Sequence, residues 1–356
     1  MTQKAKLPST ILEHTPWESD IHSIWPASIF ILHRNLASYP FPNKMNERQS
    51  ESCLKILKEA LETLGDLDHP TSFEASELSA LHKEFLFEHF LCLEGFQNTS
   101  RRQAFILDQT GRFLALLNIQ DHIQIHLVDC KQEWENSWNR LSKMDSTLSE
   151  KLDYAFSTKF GFLTPDSSLC GTALQVRLFL HLPALIHLNQ IKEAFLKQKD
   201  EEVAAIGMEG VSNEFIGDLV ILTNRFTIGV SEETILHSLN NTATKLIVSE
   251  KTLRTHLKEG NNAEVKDLVS RAYGLLIHSY QLQTKEALNA LSLIKLGIDL
   301  GWIEGISDKS LNEIFFQCRR AHLAHLVDDE TADSHQLAIK RASFFHQKMQ
   351  KMQLKI

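Results

Sequence analysis

The side chains able to do chemistry concentrate in two strand-like stretches. Between Phe113 and Leu127 the residue types alternate with a period of two, as in a half-buried strand. Asn118, Gln120, His122, Gln124 and His126 fall on one face, while Phe113, Ala115, Leu117, Ile119, Ile123 and Ile125 fall on the other. Gln120 and Gln124 carry neither charge nor useful basicity. Asp121 cannot act in place of Gln120, because neighbouring strand residues point to opposite faces. His122 and His126 share a face but lie about 13 Å apart along an extended strand, too far for one ion. The second stretch runs from Phe160 to Leu185, with a tight turn at Gly171-Thr172 and then a strand. In that strand Ala173, Gln175, Arg177, Phe179 and His181 share a face, and Arg177 reads as an arginine at the rim. His322 and His325 sit at i, i+3 on a helix; with no third ligand nearby they read as a solvated face. The expectation for a metal is therefore none.

The whole chain bounds what these residues serve. Its 356 residues suffice for one large and one small domain. Hydrophobic content of 43% and charged content of 23% are ordinary for a globular protein. No apolar run approaches the roughly 18 residues of a membrane helix, so no membrane insertion is expected. The five cysteines form no CxxC pair, which argues against a zinc site or a disulfide framework and for a cytoplasmic location. A net charge of -8 offers no general attraction to nucleic acid, and it opposes polyphosphate binding unless local cations override it.

The elements that must position the site follow in order. Residues 1–16 are polar without periodicity and read as a loose arm. SIFILHRN from Ser28 is mostly apolar and predicts a strand covered on both faces. Residues 46–64 predict an amphipathic helix burying Leu54, Leu57, Leu61 and Leu64, and residues 76–91 predict a second. Thr147 and Glu150 form a capping-box pattern opening a helix, as do Ser310 and Glu313 before Ile314-Phe315-Phe316. Glycines 207, 210 and 217 predict a mobile loop. From about residue 261 the apolar period turns to 3.6, a packed helical domain.

In this frame the chain resembles the ATP:guanido phosphotransferases, and among them the bacterial protein arginine kinases. FGFLTPDSSLCGTALQVRLFLHLPAL (160–185), the run 205–233 and the segment around LGIDLG carry the likeness in order along nearly the whole chain from Trp17. The resemblance implies an α+β fold, an antiparallel sheet flanked by helices and followed by a helical C-terminal domain. It places a catalytic-type domain at 17–258 and the helical domain at 259–356. It also implies where the family's functional side chains would stand. Its phosphate-binding arginines fall on Ile29, Ile31, Gln124, Gln175 and Ile206. Its pair of glutamates, the second a catalytic base, falls on Ile119 and Gln120, its substrate-side cysteine on Asp166, and its base-stacking histidine on Phe90. Of its phosphoarginine motif only Arg341 is kept, with Leu337 and Ala338 in place of the Arg-Asp. Arg34 is the kept arginine of its motif and has a structural reading.

The expectation is a degenerate member, a pseudokinase that needs no cofactor and works as an adaptor. The resemblance implies a homodimer and docking of a zinc-binding activator-like protein. The alternative is an enzyme with a rebuilt cleft of His33, Gln120, His122, Gln124, Arg177 and His181, which alone would call for ATP-Mg. A phenylalanine at position 90 could still stack on a base.

Overall fold

A computed structural model describes residues 7–13, 15–17, 24–93, 95, 96, 99, 101–198, 201–260, 262–329 and 331–356. Its centre is an eight-stranded antiparallel sheet. In chain order the strands are β1 (Ala27–Arg34), β2 (Thr71–Glu74), β3 (Ala104–Leu107), β4 (Phe113–Leu117) and β5 (Ile123–Asp129). A small hairpin of β6 (Phe156–Ser157) and β7 (Gly161–Phe162) stands apart, followed by β8 (Leu174–His181), β9 (Val203–Ile206) and β10 (Leu219–Asn224). The spatial order is β2-β3-β4-β5-β1-β8-β10-β9, which puts β1 between β5 and β8. Every residue of β1 is buried, as its unbroken apolar run requires of a strand covered on both sides.

Each sheet face has its own core. One face packs on α2 (Glu47–Leu61), α4 (Trp134–Ser149), α6 (Ile191–Gln198) and the 28-residue α7 (Glu232–Glu259). Phe30, Leu32, Val176 and Leu178 meet Leu54, Leu57, Met144 and Leu239 there. The other face packs on α1 (Ser9–Glu13), α3 (Ala80–His89) and the C-terminal helices. Those are α8 (Ala263–His278), α9 (Thr284–Asp299), α10 (Asp308–Gln317), α11 (Arg320–Leu326) and α12 (Ser334–Lys348). A two-residue pair, β11 (Ile303–Glu304) with β12 (Gln353–Leu354), closes that helical region. No helix among the described residues is long and apolar enough to cross a membrane.

Several local expectations give way to the structure. Residues 113–127 form a hairpin, β4 and β5, rather than one strand. Asn118 makes the reversal: its φ of 55° lies in the left-handed region, which asparagine tolerates, and its N–H donates to the His122 carbonyl. Because the strands pair Phe113 with Leu127 and Leu117 with Ile123, the alternation keeps its phase through the turn. Thr147 and Glu150 do not open a helix but close α4, whose buried Leu141, Met144 and Leu148 continue one apolar stripe through them. Thr147 donates back to the Lys143 carbonyl instead. The cap of α10 is Ser307, which accepts from the Ser310 N–H, so that helix starts three residues early. Helix α3 starts at Ala80 behind the cap Ser79, later than its apolar pattern suggested. The arm is not loose throughout, since Leu7 and Ile11 are buried against the second core. In the loop after β9, the Gly207 N–H donates to the Val211 carbonyl, and Glu214 pairs with Lys285 of α9.

One buried carboxylate ties three elements together. Glu250 of α7 accepts the N–H groups of Ala184 and Leu185 at 3.1 and 2.9 Å, at the start of α5 (Pro183–His187). It also accepts Arg254 Nε at 2.7 Å, while Arg254 pairs with Asp299 of α9. Removing the carboxylate leaves two buried N–H groups unpaired and takes from the Arg254 guanidinium one of its two carboxylate partners. Glu250→Ala is expected to cost about 3–5 kcal/mol in urea unfolding. A loss below about 1 kcal/mol would show that the network is not holding the fold.

Candidate functional site

The pairing of β4, β5, β1 and β8 sets the site as rows of directly opposed residues, which share a face about 5 Å apart. One row is Leu116, Gln124 and His33; the next is Leu114, His126, Ile31 and Gln175. The third is Val128, Ile29 and Arg177. Four positions that the resemblance assigns to phosphate-binding arginines, Ile29, Ile31, Gln124 and Gln175, therefore stand together on this face. Ile29 and Ile31 are buried in the apolar core, and Gln124 is 5% exposed. Ile206 lies at the end of β9, half-buried against the same core.

A pocket of about 310 Å³, counted out to its open mouth, lies over these rows. Gln120, Gln124, His126 and Arg177 line its sheet side, Ile119 its edge, and Cys92 and Phe96 the opposite wall. Arg177 is not a rim arginine: it is 5% exposed, inside the pocket, with Nη2 3.5 Å from Gln175 Oε1. His126 is 3% exposed, and neither ring nitrogen has a hydrogen-bond partner. Burial holds its pKa well below the ordinary histidine value, with Arg177 and then His33 adding to the effect, so the ring is neutral. Among the described residues the pocket's lining carries one guanidinium, two amides and a neutral imidazole. It can hold and orient a ligand through hydrogen bonds, but Gln120 and Gln124 cannot take a proton from one.

The other members of the expected rebuilt cleft serve the framework. His33 is fully buried on the same face, but Nδ1 is held 2.8 Å from Asp121, and Nε2 has no partner. His122 stands at the hairpin turn, outside the pocket. Its Nδ1 accepts the Leu36 N–H at 2.9 Å, and Nε2 donates to the Pro40 carbonyl at 3.0 Å. Burial lowers its pKa, consistent with that neutral tautomer. His181 lies at the far end of β8, where Nε2 donates to Ser292 Oγ at 2.7 Å and Ser292 donates on to Asp218. A separate cavity there, lined by Trp17, His181 and Lys295, holds none of the kinase-like positions. Asp166 is spent as a cap: it accepts from Ser168, and those bonds hold its carboxyl below the usual range.

Further expectations are corrected on the same face. Phe90 is fully buried at the end of α3 and cannot stack on a base. His322 is not on a solvated face, since it is 5% exposed and bonded to Glu88 at 2.8 Å; His325 is exposed. Leu337 and Ala338 are buried in α12, and Arg341 is 2% exposed. Arg341 donates to the carbonyls of Cys318 and Leu282 at 2.6 and 2.9 Å, so it tethers α12 to the C-terminal end of α10 and to the residue just before α9. His126 is the residue that reading the sequence left out of the cleft. The signal was its alternation with Gln124, but the distance to His122 directed attention to a metal. Among the described residues no group of three or more His, Cys, Asp or Glu could hold a metal ion.

The sheet and flanking helices define a guanido kinase fold. Lombricine kinase superposes with a TM-score of 0.58 at 16% identity, covering 71% of this chain and 73% of that one. A duplicated taurocyamine kinase from Schistosoma mansoni gives 0.59 at 17% identity over 80% of this chain and 47% of that one. The family model for the ATP:guanido phosphotransferase C-terminal catalytic domain matches residues 52–253. That for the protein-arginine kinase McsB C-terminal domain matches residues 262–355. A protein-arginine kinase of Chlamydia pneumoniae is 38% identical over 89% of this chain and 87% of its own length. One from Chlamydia muridarum is 33% identical over 84% of each. The chain belongs to the protein-arginine kinase family of the ATP:guanido phosphotransferases.

Arg341 supplies the test of the helical region. Arg341→Leu leaves two buried carbonyls unpaired and is expected to cost about 2–4 kcal/mol in chemical denaturation. Calorimetry with free phosphoarginine is expected to show no saturable heat with the unaltered protein, because that guanidinium is already committed. Tight binding lost in Arg341→Leu, with the fold intact by circular dichroism, would contradict this.

Proposed function

We propose that this chain is a catalytically inactive protein-arginine kinase homologue, a pseudokinase that works as a protein-binding adaptor or scaffold. The single observation that carries the reading is the sheet face itself: Ile29 and Ile31 fill its centre, and Gln124 and Gln175 flank them. Isoleucine offers nothing to a phosphate, and glutamine replaces a bidentate cation by a neutral amide. These residues do not fit a magnesium-bound nucleotide, so no step is assigned to one. General-base catalysis is worth about 10²–10⁴-fold and a transition-state arginine about 10³–10⁵-fold. With Ile119 and Gln120 at the glutamate positions, phosphoryl transfer loses both contributions.

The framework around this face supports a folded binding role. Buried charges are paired at Arg34, Glu250 and Arg254, and the caps of α2, α7 and α12 are formed by side chains. Docking needs such a surface and no live chemistry. The partner we propose is a zinc-binding activator-like protein of the kind that the family resemblance implies, bound by a homodimer in the cytoplasm. A second reading, an arginine or guanidino kinase with a rebuilt cleft, is favoured by one feature: Gln120, Gln124, His126 and Arg177 do line one pocket.

Two measurements separate the readings. Incubation with γ-labelled ATP, magnesium and an arginine-rich protein is expected to give no acid-labile label, and Gln120→Glu is not expected to restore any. Transfer that disappears in Arg177→Met would establish the rebuilt enzyme instead. Co-expression with the activator homologue is expected to give one co-eluting species in size-exclusion chromatography. Separate elution, with no other protein retained by the chain, would overturn the adaptor.

A further inference from the structure

On the side of the sheet away from the emptied rows, α4 and α7 leave two open cavities in line between them. One is lined by Trp25 before β1, Trp134 of α4 and Asn240 of α7. The other is lined by Leu32 and Arg34 of β1, by Trp138 and Asp145 of α4, and by Ser231 at the start of α7. Trp134 and Trp138 are four residues apart, so they stand one turn from each other on one face of α4. The two cavities therefore make one groove, about 16 Å long from Trp134 to Asp145 at about 1.5 Å per residue. Its halves hold about 440 and 380 Å³ of free space, against about 10 Å³ in the sheet-face pocket, so partner side chains have room. Trp25 and Trp134 meet at 73° with centroids 5.8 Å apart, and Trp25 Nε1 donates to Ser28 Oγ at 3.0 Å, which sets this aromatic corner in advance.

We propose that this groove docks a basic segment of a partner protein, its lysine or arginine side chains lying on the tryptophans and against carboxylates at either end. The proposal rests on the reading of this chain as a binding protein and adds the chemistry of the partner's surface. Charge selects the class. Arg34 is the cation among the described lining residues, and Asp145 already neutralises it. What remains is Glu133 and Glu135 at one end, with Glu232 and Glu233 at the other. Among the described residues none of these four carboxylates has an ion pair or a hydrogen bond. Each pair opens a helix whose dipole supplies about half a positive charge, so about one and a half negative charges stay uncompensated at each end. The dipole accounts for glutamates at a helix start, but not for three tryptophans left half-buried along an open groove. Indole faces attract an ammonium or guanidinium, whereas nucleic acid or an acidic segment would meet the four carboxylates.

The geometry also sets a spacing. An extended chain advances about 3.3 Å per residue, so the groove spans about five residues. A segment with cations at both ends and small residues between them places each charged end against one glutamate pair. Phe30 and Leu32 pack on this side of the sheet while Ile29 and Ile31 pack on the other, so docking here asks nothing of the cleft. The charged contacts are mostly exposed, and the attraction is therefore modest and screened by salt.

The test titrates the full chain with the peptide Lys-Lys-Ala-Ala-Ala-Lys-Lys, acetylated and amidated at its ends, against its glutamate counterpart. Three of the chain's five tryptophans line the groove, so their emission reports docking. The lysine peptide is expected to change that emission saturably, with an affinity that falls severalfold between about 50 and about 300 mM sodium chloride. Glu133→Gln with Glu135→Gln, and separately Glu232→Gln with Glu233→Gln, are each expected to weaken binding about fivefold. None of the four side chains is in the core, so these variants keep the fold, which circular dichroism checks. No saturable change, an equal response to the glutamate peptide, or an affinity unaltered in both glutamine pairs would overturn the groove. Self-association that shields the tryptophans while the peptide is inert would put a second copy there and overturn the basic segment. Co-elution with the activator homologue is scored separately. Its failure, with no other protein retained, overturns the adaptor, whereas the peptide failing beside a co-eluting complex overturns only this groove.

Discussion

Everything at the cleft depends on the buried guanidinium of Arg34. It forms a forked pair with Asp145 of α4 at 2.7–3.2 Å and donates to the carbonyls of His33 and Thr172 at 2.8 and 3.1 Å. Its plane lies over the Phe162 ring, 3.6 Å from the centroid. One side chain thus fixes the end of β1 against α4, the β6–β7 hairpin, and the turn that launches β8. A charge at 3% exposure is tolerated only when paired and hydrogen-bonded this fully. Asn35 completes the node: it donates to Asp121 at 2.6 Å and to the Leu163 carbonyl, and it accepts the His122 N–H. Asp121 in turn holds His33. The β4–β5 turn and the loop 163–172 are therefore set against the same strand end, and the positions of Gln124, Gln175 and Arg177 follow.

That dependence separates frame from chemistry. The residues of the node face inward and would be needed for the fold whatever the cleft did. At the positions that the family resemblance gives to phosphate-binding arginines, the rows carry isoleucine and glutamine, the isoleucines packed into the core. In a chain of net charge -8, a polyphosphate would meet one lining guanidinium and no compensating cluster among the described residues. Family membership and the fate of its chemistry are thus separate questions, the first settled by similarity over most of the chain.

Much of this was legible in the residues. The apolar run at 28–34 gave away a doubly covered strand, and alternation placed Gln175, Arg177, Phe179 and His181 on one face, as the structure has them. The phase of 113–127 was right although the strand was two, because this hairpin pairs residues of like parity, Phe113 with Leu127 and Leu117 with Ile123. What failed was nonlocal or a matter of cap phase. Serine or threonine followed by glutamate three residues later marks a helix start only where the chain before it is extended, and at Thr147 it is already helical. Histidines were the hardest. His122, His181 and His322 are committed to backbone or buried polar partners 86, 111 and 234 residues away in the sequence, whereas His126 is not. No spacing rule distinguishes them.

The central claim is that this sheet face no longer holds a nucleotide. The most direct measurement is equilibrium binding of Mg-ATP to the full chain by calorimetry, with thermal unfolding at saturating ligand as the second readout. The account predicts no saturable heat at millimolar nucleotide and no rise in unfolding temperature. Binding would contradict it: at about 100 times its dissociation constant a ligand stabilises the folded state by about 2.7 kcal/mol. A stabilisation of that size, lost in Arg177→Met, would show that the cleft has been rebuilt for ATP rather than emptied of it.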